Sequence, residues 1–139
     1  MQSDKATRES DTLGHHDSRA VAVARAHVEA FTNHDWDTAR NLLAEDVHFT
    51  LLNTEPGRPN QRDGVGVEQF MALLTQRPPI PGSAQFISSV GDDRHALLLV
   101  SVKADIGAVR MTIFSGRHYL LDEEGKIKNE HVIGFFHSD

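Results

Sequence analysis

The sequence predicts an α+β domain, with helices on one face of a curved, mainly antiparallel sheet. Three observations carry this expectation. Apolar residues between Ser18 and Leu74 recur mostly with the 3.6-residue period of amphipathic helices, whereas those from Gln85 onward recur with the period of two that belongs to strands. Between the regimes stands Pro78-Pro79-Ile80-Pro81-Gly82, a run that no helix crosses. Helices followed by consecutive hairpin-joined strands are the α+β arrangement.

From Ser18 to His34 the pattern is helical, with Asp17 or Ser18 as N-cap; Ala20, Val21, Val23, Ala24, Val28 and Phe31 fall in one arc, and His27 lies inside it. Asn33-His34-Asp35 breaks this helix, and Asp35 caps a second, short one whose buried face is Trp36, Ala39, Leu42 and Leu43, ended by Ala44-Glu45-Asp46. Val47 to Leu52 alternates as a strand, and the Pro-, Gly- and polar-rich stretch Asn53 to Gly64 reads as a loop. A third helix starts near Val67 and buries Val67, Phe70, Leu73 and Leu74. Strands follow over Gln85–Val90, Ala96–Ala104, Val109–Leu121 and Lys126–Phe136, with turns at Gly91-Asp92-Asp93 and Asp122–Lys126, giving the order α-α-β-α-β-β-β-β.

With 139 residues the chain has the length of one domain, placed at 18–139 and preceded by a flexible tail over 1–17 that lacks the apolar run of a signal peptide. A net charge of -6 with scattered basic residues argues against nucleic acid or an anionic membrane as partner. No stretch of about 18 apolar residues offers a membrane span. The absence of cysteine excludes disulfides, thiolate catalysis and cysteine-ligated metals, and the cytoplasm is the default location. No two histidines stand one helical turn apart, and no phosphate-cradling loop, dinucleotide fingerprint or Gly-x-Ser-x-Gly elbow is present, so neither a metal nor a cofactor is expected.

The closing strand pair holds the most telling pattern. Arg117, Tyr119 and Glu130 share the face that carries Ile113 and Val132, so three polar groups look the same way as apolar wall residues. Arg117 and Glu130, placed roughly opposite one another by a turn centred on Glu123-Glu124, read as a cross-strand ion pair that is either structural, ligand-recognising or catalytic. The other face carries Phe114, Leu120, Ile133 and Phe135. A sheet with one wet face alternates more cleanly, and the expectation is a homodimer formed through that outer face. His48, His95, His118, His131 and His137 fall outward or at strand ends.

The segments His27–Asp37, Leu42–Phe49, Gly64–Phe70 and Gly125–Ile127 resemble the nuclear transport factor two-like superfamily, in particular its SnoaL-like and ketosteroid-isomerase-like branch, over roughly residues 18 to 137. The resemblance implies a cone: a strongly bent sheet wrapped around a deep apolar pocket closed by three helices. It also maps the isomerase base onto Leu51, its tyrosine onto His27 and its aspartic acid onto Arg117, so none of that machinery is retained. The Asp-Arg-Asp set of limonene-epoxide-hydrolase relatives is broken as well, since Ser115 and Tyr119 flank Arg117 at two residues' distance. An acid/base pair of the SnoaL-like cyclase type could be imitated by Glu130 with His27 or His131.

The pocket walls predicted on this basis come from Val23, His27, Phe31, Phe49, Leu51, Phe70 and Leu74 in the first half. Leu98, Val100, Val102, Ile113, Ser115, Arg117, Tyr119, Glu130 and Val132 complete them from the strands. Such a lining suits a small hydrophobic or amphipathic molecule. In the catalytic version, a cofactor-independent cyclisation, isomerisation or dehydration, Glu130 is the base, Arg117 positions it or stabilises an oxyanion, and His27 shuttles a proton. In the competing version the domain binds a ligand or dimerises without chemistry, and Arg117 and Glu130 satisfy each other.

Overall fold

The structure is a computed structural model that describes residues 18–55, 57 and 60–139. The tail expected over 1–17 lies outside the described residues. Among those residues the order is α1 (Arg19–Thr32), α2 (Trp36–Asn41), β1 (Leu43–Asn53), β2 (Gln61–Val65), α3 (Val67–Gln76), β3 (Gln85–Gly91), β4 (His95–Ile106), β5 (Val109–Leu121) and β6 (Ile127–Ser138). One six-stranded sheet runs β2-β1-β6-β5-β4-β3, with β2 and β3 as free edges. Every pairing is antiparallel except β1 with β6.

Local chemistry starts the elements where expected. The Ser18 hydroxyl accepts from Val21 N at 3.1 Å and so opens α1; the Asp35 carboxylate accepts from Thr38 N at 3.4 Å and opens α2. Between the two helices His34 adopts a left-handed conformation (φ 62) and its Nε2 lies 2.6 Å from Pro79 O, while its ring stacks on Trp36 at 5.2 Å. That corner ties the helix pair to the proline-rich breaker beyond α3.

Two boundaries differ from the sequence expectation. The second helix stops at Asn41, because Leu42 O is taken by Ile127 N at 2.9 Å and Leu43 pairs with Ile127, drawing the chain into β1 four residues early. Ala44-Glu45-Asp46, expected to end the helix, instead lies in a register shift of β1 between Leu43 and His48. The stretch expected as loop up to Gly64 contains β2, which pairs Gly64 with Phe49 and Arg62 with Leu51. This is a sheet edge whose partners on one side are all β1, so it forms without the apolar alternation that marks an interior strand.

Helix α1 lays Ala20, Val21, Ala24, Val28 and Phe31 against the inner sheet face, where Leu98 and Val100 of β4, Tyr119 and Leu121 of β5 and Ile127 of β6 are buried. Helix α3 adds Phe70, whose ring stacks on Phe49 at 4.7 Å. The opposite sheet face leaves Leu97, Leu99, Phe114, Ile133 and Phe135 about half exposed.

Gly64 lets β2 lie this close to the Phe49 ring: a Cβ built there would overlap the ring and the Gln69 amide oxygen. Gly64→Ala is therefore expected to cost about 1–3 kcal/mol, the usual cost of overpacking, through displacement of Phe49 from Phe70. Thermal melting measures it, and an unchanged midpoint would show that the ring is not held by that contact.

Candidate functional site

Period-two alternation decides what faces inward. Leu51, Asn53 and Glu55 along β1 and its extension, Val102 and Ala104 on β4, Ile113, Ser115 and Arg117 on β5, and Glu130, Val132 and Gly134 on β6 line one cavity. Phe31 of α1, and Phe70, Leu73 and Leu74 of α3, roof it; Arg62, Gln76, Arg77, Pro79 and Phe136 complete the lining. Its volume is about 120 Å³. Of the residues proposed from sequence, Phe31, Leu51, Phe70, Leu74, Val102, Ile113, Ser115, Arg117, Glu130 and Val132 thus share one space. His27, Phe49, Leu98, Val100 and Tyr119 do not line it: they are buried in the core behind its wall, and Val23 packs against that core.

Glu130 is fully buried. Its Oε2 accepts from Arg117 Nη1 at 2.8 Å, and Arg117 also donates from Nε to Ser115 Oγ at 3.0 Å and lies 3.5 Å from the Tyr119 hydroxyl. The Ser115 hydroxyl donates in turn to Val100 O at 3.4 Å, and the guanidinium carbon sits 5.3 Å from the centre of the Phe31 ring. The pairing register differs from the expected one: Tyr119, not Arg117, stands directly opposite Glu130, and Arg117 stands opposite Val132. Two shifts of one residue each cause this: the turn centres on Glu124, with Leu121 opposite Ile127, and Lys128 is extra on β6 between Leu120 and Leu121. The ion pair forms all the same, diagonally, because the long arginine side chain spans the two-residue offset.

Behind that wall lies the imidazole of His27, Nδ1 of which is 3.9 Å from Glu130 Oε1. That gap is too long for a hydrogen bond. Neither His27 nitrogen nor Glu130 Oε1 has a hydrogen-bond partner among the described residues. Burial, followed by the Arg117 charge, depresses the His27 pKa to about 3, so the ring is neutral. Burial raises the Glu130 carboxyl to about 7, with Arg117 and the Tyr119 hydroxyl pulling the other way. Burial opposes the Arg117 charge, but the oxygens of Tyr119 and Glu130 outweigh it and hold the guanidinium above its ordinary range. Burial also raises the Tyr119 hydroxyl, which stays protonated.

A second charged group, absent from the sequence expectation, closes the other end. Glu55 is buried, and its carboxylate takes Arg77 Nη1 at 2.7 Å and faces Arg62 Nη2 at 3.6 Å. The signals were weak but present: Glu55 continues the inward positions Leu51 and Asn53, and Arg62 is the register partner of Leu51. On the outer face His118 bridges His95 (3.1 Å between ring nitrogens) and His131 (3.2 Å). Among the described residues no three His, Asp or Glu side chains are placed to hold a metal ion, and no helix is long and apolar enough to cross a membrane.

No protein-family model matches the sequence, and no curated protein matches it. Solved structures do. An LEH-like epoxide hydrolase from Mycobacterium tuberculosis is 19% identical with a TM-score of 0.62, over 86% of this chain and 83% of that one. An NTF2-like protein of unknown function from Burkholderia xenovorans is 14% identical with a TM-score of 0.63, over 84% and 83%. A computationally designed 17-OHP binder is 14% identical with a TM-score of 0.69, over 87% and 100%. The chain has the NTF2-like fold. At these identities the likeness concerns the fold, and the three positions that the resemblance maps onto isomerase machinery carry an apolar wall residue (Leu51), a buried neutral imidazole (His27) and a paired guanidinium (Arg117).

Two unpartnered ring nitrogens inside the core are costly, at roughly 1–3 kcal/mol for each unsatisfied group. His27→Leu, close in volume, is expected to raise stability at pH 7. The linkage sign is definite for His27: its folded pKa lies below the unfolded value, so the stability tied to its neutral form is present above about pH 6.5 and lost as pH falls toward 3. Glu130 runs the other way, its raised pKa favouring the fold below about 4.5 and losing that contribution as pH rises through about 7. Melting curves of wild type and His27→Leu from pH 4 to 8 check this: the variant should lose less on acidification, and a variant less stable at every pH would mean that the imidazole is hydrogen-bonded.

Proposed function

We propose that this chain binds a small, largely hydrophobic molecule in the cavity and performs a cofactor-independent acid/base step on it, with Glu130 as the base. One observation carries the reading: a fully buried carboxyl at the cavity wall has one oxygen held by Arg117 and the other unpartnered, and its pKa is moved close to neutrality. In this reading Glu130 Oε1 takes a proton from carbon or water, and Arg117 offers Nη2, the nitrogen not spent on Ser115, Tyr119 or Glu130, to an oxygen that gains charge. His27 is the reserve proton carrier behind the wall, and it takes part only when the 3.9 Å gap to Glu130 closes. Isomerisation, cyclisation and dehydration all begin with such a transfer.

Size narrows the substrate. A cavity of about 150 Å³ holds one benzene, so the 120 Å³ here suits a single ring or its acyclic equivalent. Neighbours of the fold hold larger molecules: one from Mycobacterium tuberculosis was solved with estradiol-17β-hemisuccinate, and the designed protein binds 17-OHP. They support a hydrophobic small-molecule pocket as the use of this fold.

The alternative, binding without turnover, is favoured by one feature, that Arg117 already satisfies Glu130 and two hydroxyls. Deuterium exchange separates the two. Full-length protein in D2O is expected to accelerate α-deuteration of cyclohexanone, with kcat/KM rising with pH through about 7 as Glu130 ionises. Glu130→Gln should lower that rate by about 10²–10⁴-fold, the range for loss of a general base, while keeping a cooperative melt. Undiminished exchange in the variant would dismiss Glu130.

The half-exposed Leu97, Leu99, Phe114, Ile133 and Phe135 support a homodimer through the outer sheet face. Gly116 at its centre meets no neighbouring atom, leaving a notch between Leu99 and Ile133, its register partners on either side. Light scattering is expected to give twice the chain mass for wild type and the single mass for Phe135→Glu; a monomeric wild type would refute the dimer.

A further inference from the structure

Most polar atoms on the cavity wall are spent within the protein. Arg117 Nε and Nη1 go to Ser115, Tyr119 and Glu130, and the Ser115 hydroxyl, having accepted from Arg117, donates to Val100 O. Asn53, which also lines the cavity, is different. Its Oδ1 accepts from Glu55 N at 3.0 Å, and because a backbone N–H can only donate, that bond fixes which way the amide is turned. Its Nδ2 has no hydrogen-bond partner among the described residues. A neutral donor therefore stands in the wall with nothing to bind.

The register places this donor. Asn53 of β1 pairs with Gly134 of β6, and Gly134 with Ser115 of β5, so these three inward positions form one row across the sheet. The next row toward Glu130 holds Leu51, Val132 and Arg117. In the middle of the upper row the side chain is missing. Gly134 is buried, and a Cβ built there would meet Asn53 Cβ at 3.7 Å, Ile113 Cγ2 at 3.8 Å and Phe114 O at 3.8 Å. Those are ordinary contact distances, so a methyl group would fit. Nor does the backbone demand glycine, since Gly134 is not left-handed. Glycine weakens a strand interior and often marks a place where a ligand approaches closely. The recess it leaves lies directly beside the Asn53 amide.

We infer that the ligand carries two acceptor oxygens: the one that meets Arg117, and a carbonyl oxygen at its other end that sits in the Gly134 recess and accepts from Asn53 Nδ2. This rests on the reading that the cavity binds a ring-sized molecule with an oxygen at Arg117, and it adds the second oxygen and the substrate class, a cyclic diketone. With Oδ1 engaged by Glu55 N, the amide offers a ligand its donor side, which a carbonyl oxygen uses. Two strand spacings across and one row along place the α-carbons of Asn53 and Arg117 about 12 Å apart. A single six-membered ring with oxygens on opposite carbons bridges such a separation through a hydrogen bond of about 2.9 Å at each end. One ring is also the size that the cavity holds.

Ligand-observed NMR titration of the full-length protein with 1,4-cyclohexanedione and with cyclohexanone tests the inference. The dione is expected to bind wild type about three- to tenfold more tightly, the worth of one neutral hydrogen bond. Asn53→Asp keeps an acceptor for Glu55 N and loses the donor, and it should bring that ratio to about one. Gly134→Ala, whose methyl fills the recess, should do the same. The dione-against-ketone comparison is made on wild type and holds whether or not either variant folds. Equal affinities for wild type would overturn the second oxygen and leave the hydrophobic-pocket reading standing. A preference that survives in a cooperatively melting Asn53→Asp would overturn Asn53 as its donor, and binding of neither compound to wild type would overturn both readings.

Discussion

A carboxyl group with no access to water must be neutralised by a proton or by a cation, and the interior of this protein is arranged around that requirement at Glu130. Removing an ion from water costs several kcal/mol even after the protein relaxes. Arg117 meets the demand from the neighbouring strand, but a guanidinium brought into the same interior has donors of its own to satisfy, and Ser115 and Tyr119 take them up. Ser115 is anchored on β4 through Val100 O, and Phe31 of α1 lies against the guanidinium. One buried acid thereby couples β4, β5, β6 and α1. Exposed pairs such as Arg110–Asp105 and Arg40–Glu68 impose nothing comparable, since solvent competes for both partners.

Above the pair, under Phe70, Leu73 and Leu74 of α3, lies the cavity of about 120 Å³. Behind its wall His27 keeps two buried ring nitrogens without a hydrogen-bond partner among the described residues, at roughly 1–3 kcal/mol for each. Costs of this kind gather where a structure serves something other than its own stability, and here the imidazole lies 3.9 Å from the buried acid.

The fold was legible because its period is strong where packing decides. Strand β5 begins and ends where alternation placed it, at Val109 and Leu121, and Ser18 and Asp35 cap the helices they were expected to cap. The failures occur where local pattern and tertiary pairing compete. Gln61-Arg-Asp-Gly-Val carries no apolar alternation because an edge strand needs only backbone partners, and Leu42-Leu43 has a helical apolar pattern that the pairing with Ile127 overrides. Arg117 and Glu130 were recognisable as partners, but the turn centre at Glu124 and the bulge at Lys128 were not, and together they set Tyr119 opposite the acid. At the site, side-chain facing was readable and depth was not: Phe49, Leu98, Val100, Tyr119 and His27 point inward as expected yet sit behind the cavity wall, in the core. Glu55, Arg62 and Arg77 were missed because they come from three separate segments that only the folded chain brings together.

A base at Glu130, as proposed, has a geometric consequence. Leu51, the position onto which the resemblance maps the isomerase base, has Val132 as its neighbour on β6; Glu130 lies two residues away on β6 beside Phe49. One strand spacing and two residues along the strand place the two α-carbons about 8 Å apart. A ligand seated so that its reacting carbon faces Leu51 would lie beyond the roughly 3 Å reach that proton transfer requires of Glu130. With Glu130 as the base, the reacting carbon must sit lower in the cone, against Phe31 and Phe70, and the ligand above it must be slim enough to pass Leu51 and Leu74. A base on β6 at Glu130 and the small volume of the cavity thus place the same limit on the ligand.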